Sequence, residues 1–369
     1  MKRVRILGIR GIPAQHGGFE TFAEHLALYL AERGWDTTVY CQVEGAEGIS
    51  EDTWRGVRRV NIGVKQAGAL GTVVFDARCV QHARRNPGVL LTLGYNTAVF
   101  SLGYLGRRLP HAMNMDGIEW RRAKWSRAER AWLYINERLG CLLPDRLIAD
   151  HPEIGKHLET RVSGSKITVI PYGSDALYDG PPPPPPNVAF PATPGRYAMV
   201  IARAEPENSI LEVVTAFSRR PRGYGLVVLG TYDRQGNPYH RAVQAAAGDE
   251  VVFAGAIYDK AVVCALRYHC ALYIHGHTVG GTNPSLVEAL GAGNPILAHD
   301  NPFNRWVAGP GAAYFGDTDQ CDAALTCLLS APDALANMAA ASRTRHAQAL
   351  TWPHILCRYE DLLLDMLAR

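Results

Sequence analysis

The sequence predicts two doubly wound α/β domains joined by a proline-rich connector, and three observations carry that reading. The chain has 369 residues, more than one ordinary core holds and close to what two domains need. Short apolar runs alternate with helical patterns from the N-terminus onward, as parallel sheets built from βαβ units require. The alternation stops at six consecutive prolines, residues 181–186, and then starts again. Such a run enters neither a helix nor a central strand and favours extended polyproline II, a stiff surface connector.

Residues 4–9 form the first apolar run, followed by the glycine-rich GIRGIPAQHGG. A helical pattern spans residues 19–33, with Phe22, Leu26, Tyr29 and Leu30 on one face, and Gly34 ends it. Residues 37–41 are β-branched and aromatic, a second strand, so the chain opens with a β-loop-α-β unit. Further strands are expected at 89–93, 112–115, 146–149 and 166–170. Beyond the prolines the expected strands are 197–202, 225–229, 251–254, 271–274 and 295–298, with helices at 210–218, 260–268, 284–290 and 320–330. A last amphipathic helix covers residues 353–367. The boundaries that follow are 1–180 for an N-terminal domain, 181–195 for the connector, 196–350 for a C-terminal domain and 351–369 for the closing helix.

Composition excludes several classes. Hydrophobic residues at 47% and charged residues at 20% describe a globular chain, not a disordered or fibrous one. No apolar run reaches membrane-spanning length, and MKRVRILGIRGIP lacks the longer apolar region and cleavage site of a secretory signal, which predicts a cytoplasmic protein. The eight cysteines form no CxxC pair, and their two C-x5-C pairs fit no common zinc spacing, so reduced, mostly buried thiols are expected. Residues 1–175 carry 24 Lys+Arg against 18 Asp+Glu, and the remainder 14 against 17. A basic front half suits an anionic acceptor or an anionic membrane surface, or is simply a scattered solvated surface. No helix-turn-helix, zinc-finger or RNP signature points to a nucleic-acid partner.

Four loop segments hold the residue types that do chemistry. In residues 11–20, GIPAQHGGFE, glycines let the backbone approach a ligand and a helix N-terminus attracts anions. The spacing of Gly8, Gly11, Gly17 and Gly18 is not GxGxxG, and the predicted second strand ends on Tyr40, Cys41 and Gln42 with no acid, so a dinucleotide is poorly served. The segment is a ligand loop or a plain turn. Residues 275–295, HGHTVGGTNPSLVEALGAGNP, let Asn283 or Thr282 cap the helix that Pro284 opens. The amides of Gly281, Thr282 and their neighbours then form a phosphate cradle, and Glu288, a turn further on, is placed to accept from a ribose diol. A glutamate in so apolar a helix is costly unless partnered.

Residues 114–125, NMDGIEWRRAKW, put Asp116 and Gly117 at a strand end, where Asp116 acts as a base toward an acceptor hydroxyl, orients a sugar, or caps a helix; Glu119 is the reserve candidate. The Arg/Lys/Trp-rich helix that follows, through Trp132, docks on lipid headgroups or is a solvated basic helix. Residues 202–208, ARAEPEN, set Arg203 after the first strand of the second domain, where its guanidinium pairs with a diphosphate or makes a surface salt bridge. Metal is not expected: His275 and His277 lack a third ligand, and Asp317, Thr318 and Asp319 directly precede a helix that they are suited to cap.

Taken in order, GGFE, PYGSD at residues 171–175, Arg203 with EPEN, and GGTNPSLVEALGAGNPI resemble the retaining glycosyltransferases of family four, over essentially the whole chain. GIRGIPAQHGGFETFAEHLA and NMDGIEWRRAKW resemble more narrowly the branch of rhamnosyltransferases of bacterial surface polysaccharides. The resemblance implies the GT-B fold, two Rossmann-like domains facing a central cleft, with a nucleotide-sugar donor on the C-terminal domain and the acceptor on the N-terminal one. The last helix would pack back on the N-terminal domain. It also implies that Gly17 and Gly18 lie near the donor phosphates, Arg203 binds the diphosphate, Gly281 and Thr282 hold phosphate or sugar, and Glu288 holds the ribose. Asn208, Gly280, Asn283, Ser285 and Leu286, in the same motifs, complete the donor-binding set.

Three positions depart from the family pattern: Asn208 stands where a lysine follows the arginine, Gly280 replaces the first glutamate of E-x7-E, and Asp116 lies about where many relatives have a histidine. The implied reaction is metal-independent and cofactor-free transfer with retention, through an oxocarbenium-like state, helped by electrostatic stabilisation of the leaving diphosphate. Asp116 as a true general base would instead fit inversion. The implied donor is dTDP-rhamnose and the implied acceptor a lipid-diphosphate-linked saccharide, with peripheral contact at the cytoplasmic face of the inner membrane. Two other classes stay open. A sugar-nucleotide epimerase shares the fold but needs more acid/base residues around the sugar. A catalytically degenerate binding or scaffold protein is favoured by the two missing side chains and opposed by Arg203, Glu288 and the glycine cradle together.

Overall fold

A computed structural model describes residues 2–15, 17–66, 68–107, 109–122, 124–184, 193–233 and 235–368. The chain divides into two compact units, Met1–Pro171 with Pro353–Arg369, and Tyr172–Trp352. Residues 185–192 of the expected connector lie outside the described residues.

The first unit is built on eight strands: β1 (Arg3–Leu7), β2 (Asp36–Glu44), β3 (Ile49–Trp54), β4 (Val57–Val64), β5 (Val89–Leu93), β6 (His111–Asn114), β7 (Arg146–Ala149) and β8 (Ile167–Val169). They lie in the order β3-β4-β2-β1-β5-β6-β7-β8, parallel except for β3 against β4. Strand β5, VLLTL, is buried along nearly its whole length, as a central strand covered on both faces must be. Helix α1 (Gly17–Glu32) buries Phe22, Ala23, Leu26, Ala27 and Leu30. Helix α2 (Gly68–Ala83) adds Phe75 and Cys79 to a core of Leu7, Tyr40, Ile62 and Leu90. Helices α3 (Arg127–Leu142) and α4 (Pro152–Glu159) complete the crossovers to β7 and β8.

One expectation is corrected here. The second strand does not stop at Cys41 but continues to Glu44, because β4 pairs with it from Thr38 through Glu44. An acidic residue therefore does end that strand, on an exposed position. The dinucleotide reading then fails only on its glycine spacing.

The second unit holds six parallel strands: β9 (Tyr197–Ile201), β10 (Gly225–Leu229), β11 (Val251–Gly255), β12 (Leu272–His275), β13 (Ile296–His299) and β14 (Ala313–Phe315). Their order, β11-β10-β9-β12-β13-β14, is the Rossmann order of three strands wound one way and three the other. Helices α5 (Ile210–Ser218), α6 (Pro238–Ala245), α7 (Lys260–His269), α8 (Pro284–Gly291), α9 (Pro302–Ala308), α10 (Thr318–Leu329) and α11 (Pro332–Ala349) cover the sheet. One face packs Val213, Phe217, Leu226, Leu272 and Leu325, and the other Leu266, Leu286, Leu290, Ile296 and Val307.

Helix α12 (Trp352–Leu367) starts at the last residue of the second unit and otherwise belongs to the first. There its buried Tyr359 packs on Phe22 with ring centroids 4.5 Å apart. The Trp35 indole donates to Glu360 at 3.0 Å, and Lys2 and Arg33 each lie 3.5 Å from the same carboxylate. Burial raises the Glu360 carboxyl pKa, but the bonds from Trp35 and Tyr29 and the charges of Arg33 and Lys2 outweigh it and hold it low. A depressed carboxylate stabilises the fold above the ordinary glutamate pKa, and that contribution is lost as pH falls through and below it. Glu360→Gln is therefore expected to lower unfolding free energy by about 1–2 kcal/mol at pH 7. Urea titrations should show the gap to wild type closing as pH falls below 4.5; a gap unchanged with pH would remove the charge from this account.

Candidate functional site

Ligands of open parallel sheets bind outside the carboxyl ends of the strands where the winding reverses. In the second unit that point lies between β9 and β12, and two loops stand over it, 202–209 and 276–283. They are bonded to each other: the Thr278 amide and hydroxyl both donate to the Glu207 carbonyl at 2.9 Å. The His277 carbonyl accepts from the side-chain amides of Asn301 at 3.0 Å and Asn304 at 2.8 Å, which ties in the β13 end. Ser209 sits in the left-handed region at φ 48° to start α5. The buried Asn208 donates to the Arg203 carbonyl at 2.8 Å, so its amide braces the loop from within. Arg203 itself is exposed, and no carboxylate pairs with it among the described residues. Of the two sequence readings for Arg203, the surface salt bridge is not formed.

The loop after β12 runs into α8 through its cap. Asn283 accepts from the Ser285 amide at 3.0 Å and the Ser285 hydroxyl at 2.8 Å, with Pro284 at the first helical position. Ser285 thus serves the cap. Leu286 is corrected as a donor-binding candidate: its side chain is fully buried in the core and its amide donates to the Asn283 carbonyl at 3.1 Å. The amides of Gly280, Gly281 and Asn283 have no protein acceptor among the described residues, which leaves an open cradle beside the buried Thr282. Gly280 has φ 138°, a conformation L side chains rarely adopt. The glutamate that this position holds in the resembled family would be strained on this backbone.

Glu288, one turn into α8, does have a partner: Arg267 Nη2 donates to Glu288 Oε2 at 2.7 Å. Arg267 is only 4% exposed, so the pair offsets the desolvation of a buried guanidinium and leaves Glu288 half-exposed beside the cradle. His275 and His277 stack with centroids 4.3 Å apart and planes 7° apart, and burial drives the His275 pKa well below its ordinary value. Asp317 caps α10 by accepting from the Gln320 amide at 2.8 Å, while Asp319 pairs with Arg219 at 2.6 Å. No group of three or more His, Cys, Asp or Glu gathers as a metal site among the described residues.

In the first unit the winding reverses between β1 and β5. Gly11, φ 134°, is packed so close to Cys41 that a Cβ would lie 2.9 Å from its side chain. Gly17 and Gly18 open α1, and Glu20 folds back over them: its carboxylate accepts from the Arg10 amide at 3.2 Å and stands 2.8 Å from where a Gly17 Cβ would be. An anion brought to Gly17 therefore meets a like charge. Beside this loop lies a polar cavity of about 400 Å³, lined by Arg10, Gln15, Glu20, Gln42, Arg59 and Asn61 among others.

Asp116 follows β6 at φ 51°, with its amide donating to Asn114 Oδ1 at 2.9 Å. Asn114 in turn donates to the Tyr359 hydroxyl at 2.9 Å, so α12 braces the strained turn. Burial, with the nearby Glu119 charge, pushes the Asp116 carboxyl up to about 6. Glu119 is bonded on two sides: its amide donates to the Tyr95 hydroxyl at 2.9 Å and its carboxylate accepts from Arg122 at 2.9 Å. Sequence reasoning overlooked Arg267 and Tyr359; the signal for the first was the cost of Glu288 in an apolar helix, and for the second there was none.

A family profile described as "Domain of unknown function (DUF1972)" matches residues 1–175. Alpha-monoglucosyldiacylglycerol synthase of Streptococcus pneumoniae is 29% identical over 140 residues, which are 36% of this chain and 31% of that protein. The chain thus matches about a third of its curated relative's length. Among solved structures, sucrose-phosphate synthase of Thermosynechococcus elongatus aligns with TM-score 0.81 at 17% identity over all of both chains. Anabaena Alr3699/HepE in complex with UDP aligns at 0.75 and 15%, over 99% of this chain and 100% of that one. The chain has the GT-B fold. The alpha,alpha-trehalose 6-phosphate synthase of Burkholderia multivorans aligns at TM-score 0.76 and 12% identity, over 100% of this chain and 99% of that one. In GT-B terms the second unit gathers Arg203, Asn208, Gly280, Gly281, Thr282, Asn283, Ser285 and Glu288 at one sheet edge. The first unit carries Gly17 and Gly18 at the start of α1, and Asp116 and Glu119 on the segment after β6.

Left-handed backbone at a β-carbon residue stores strain of order 1 kcal/mol that glycine relieves. Asp116→Gly should raise unfolding free energy by about 0.5–1 kcal/mol at pH 7.5, where it also removes a half-buried charge. Thermal melts check this; a variant less stable than wild type would show that the Asp116 side chain holds the turn.

Proposed function

We propose that the chain is a glycosyltransferase that moves a sugar from a nucleoside diphosphate sugar to a saccharide acceptor. One observation carries the reading: Arg203, exposed and with no carboxylate partner among the described residues, shares the sheet edge with the open amides of Gly280, Gly281 and Asn283 at the start of α8. A diphosphate suits both features, one by charge-assisted bonds and the other by amides and the helix dipole. Glu288 accepts the ribose diol on the oxygen that Arg267 leaves open. As the glycosidic bond breaks, the charge gathering on the leaving diphosphate is met by Arg203 and the amides, without need of a metal. Glu20 beside Gly17 leaves the diphosphate to the second unit.

The likenesses support this. The Anabaena structure is a complex with UDP, and the Streptococcus relative is named as a synthase of a monoglucosyl lipid. On the resemblance of the N-terminal motifs the donor is dTDP-rhamnose and the course is retention. The acceptor is a lipid-diphosphate-linked saccharide presented at the cytoplasmic membrane face, taken by the first unit with ionised Asp116 accepting from and orienting its sugar hydroxyl, while the leaving diphosphate takes the proton, as retention requires. A carboxylate titrating near 6 is, once ionised, a stronger hydrogen-bond acceptor than an ordinary aspartate.

Purified protein in chelator, offered dTDP-rhamnose, UDP-glucose, UDP-GlcNAc and GDP-mannose with a lipid-diphosphate sugar acceptor, is expected to turn over dTDP-rhamnose selectively. Proton NMR of the product should show the donor's anomeric configuration kept. Silence with all four donors, together with no nucleotide binding, would overturn the enzyme reading in favour of a scaffold. Asp116 loses its charge as pH falls through about 6. The rate under kcat/KM conditions should therefore drop about tenfold per pH unit below that value. Asp116→Asn should be at least about a hundredfold slower and lack this limb; a limb that survives in the variant would assign it to another group.

A further inference from the structure

Six of the twelve large hydrophobic side chains exposed among the described residues fall in one short stretch of the first unit: Leu102, Leu105, Trp132, Tyr134, Ile135 and Leu142. The first two belong to the 3-10 segment Ala98–Tyr104 and the residue after it, the others to α3. The segment and the helix are bonded side by side, since the Trp132 indole donates to the Asn96 carbonyl at 2.8 Å and the Val99 amide to Asn136 Oδ1 at 2.9 Å. Trp132, Ile135, Leu139 and Leu142 fall within roughly 80° of the helix circumference, so they form one stripe. The opposite face carries Leu133, Asn136, Glu137, Gly140 and Cys141, which are buried, so the stripe points outward. Exposure reaches 65% at Leu105, 59% at Leu142 and 54% at Ile135. A contiguous apolar patch of this kind marks an interaction surface.

Charge selects the occupant. The exposed cations of residues 98–142 are Arg107, Arg121, Lys124, Arg127 and Arg130, and the one exposed acid among the described residues there is Glu129. Glu129 is the closing half of the α3 capping box with Ser126, so it serves the helix end. Exposed apolar and aromatic side chains in a stretch whose exposed charges are nearly all arginine and lysine fit an anionic bilayer: rings and aliphatic tips enter the headgroup boundary while cations at its margin, such as Arg107 beside Leu105 and Arg127 at the start of α3, meet phosphates. Residues 117–126 join the Asp116 loop to α3, and within them the Trp120 indole donates to Glu137 of α3 at 2.6 Å.

We infer that the 3-10 segment and α3 form a docking ridge for an anionic lipid surface, which would bring the Asp116 loop to a lipid-borne acceptor. The last clause rests on the transferase reading; the docking itself does not, because vesicle binding needs neither donor nor turnover.

The test is co-sedimentation of the full chain with vesicles of phosphatidylcholine alone and of phosphatidylcholine with about 40% phosphatidylglycerol. Wild type should bind the anionic vesicles at least about tenfold more tightly, and less so as salt rises. The pair Arg107→Glu and Arg127→Glu should lose that preference, and the triple change L105Q, I135Q and L142Q should lose retention at high salt. These positions are exposed, so both variants are expected to keep the wild-type melting temperature. Equal binding to both vesicle types, or variants that bind like wild type, would overturn the proposal. A concentration-dependent dimer abolished by the triple change would overturn it in favour of a second copy of the chain. Loss of vesicle binding with unchanged transfer to a soluble acceptor would separate the ridge from the chemistry.

Discussion

Two carbonyls at the edge of the second sheet, those of Glu207 and His277, hold the candidate donor site in place. The Glu207 oxygen takes both donors of Thr278, and the His277 oxygen takes both asparagines of the β13 end. Through them the loops after β9, β12 and β13 become one object. None of these bonds lies within a strand ladder, and each fixes backbone that neither sheet nor helix would fix. Arg203 and the amides of Gly280, Gly281 and Asn283 can face a ligand without prior rearrangement because of them. A preorganised set of donors stabilises developing charge with little reorganisation at the moment of bond breaking.

The same loops explain two departures from the family pattern. Asn208 is short enough to turn inward and bond the Arg203 carbonyl, a role lysine would leave empty, so it braces the loop that presents the charge. Gly280 adopts φ 138°, where a glutamate would be strained, and its amide has no protein acceptor among the described residues. In the first unit the chemistry concentrates differently. Asp116 combines a left-handed backbone with a carboxyl raised by burial, and strain and perturbed ionisation in one residue mark a functional position more often than a structural one.

Much of the fold was legible because strands buried on both faces read as apolar runs: VLLTL and the runs at 225–229 and 271–274 stand out at once. Strand β3, ISEDTW, is an exposed antiparallel edge with no such run, and it passed unseen, as did β4 beside it. Helix α11 is so rich in alanine that its apolar period is faint. At the site, cap chemistry was readable, since Asn283 before Pro284 and Asp317 before Thr318 act as local sequence predicts. Partnerships across long separations were not. Arg267 meets Glu288, and Tyr359 meets Asn114, only because the sheets bring distant segments together.

The central claim is that Arg203 and the α8 cradle bind a nucleoside diphosphate without metal. Isothermal titration of dTDP and UDP into wild type and Arg203→Ala, in chelator, tests it most directly. The account predicts saturable one-to-one binding by wild type, weakened by about 10- to 100-fold in the variant, as loss of a charge-assisted pair requires. Equal affinity of the two proteins, or binding that appears only when a divalent cation is added, would contradict it.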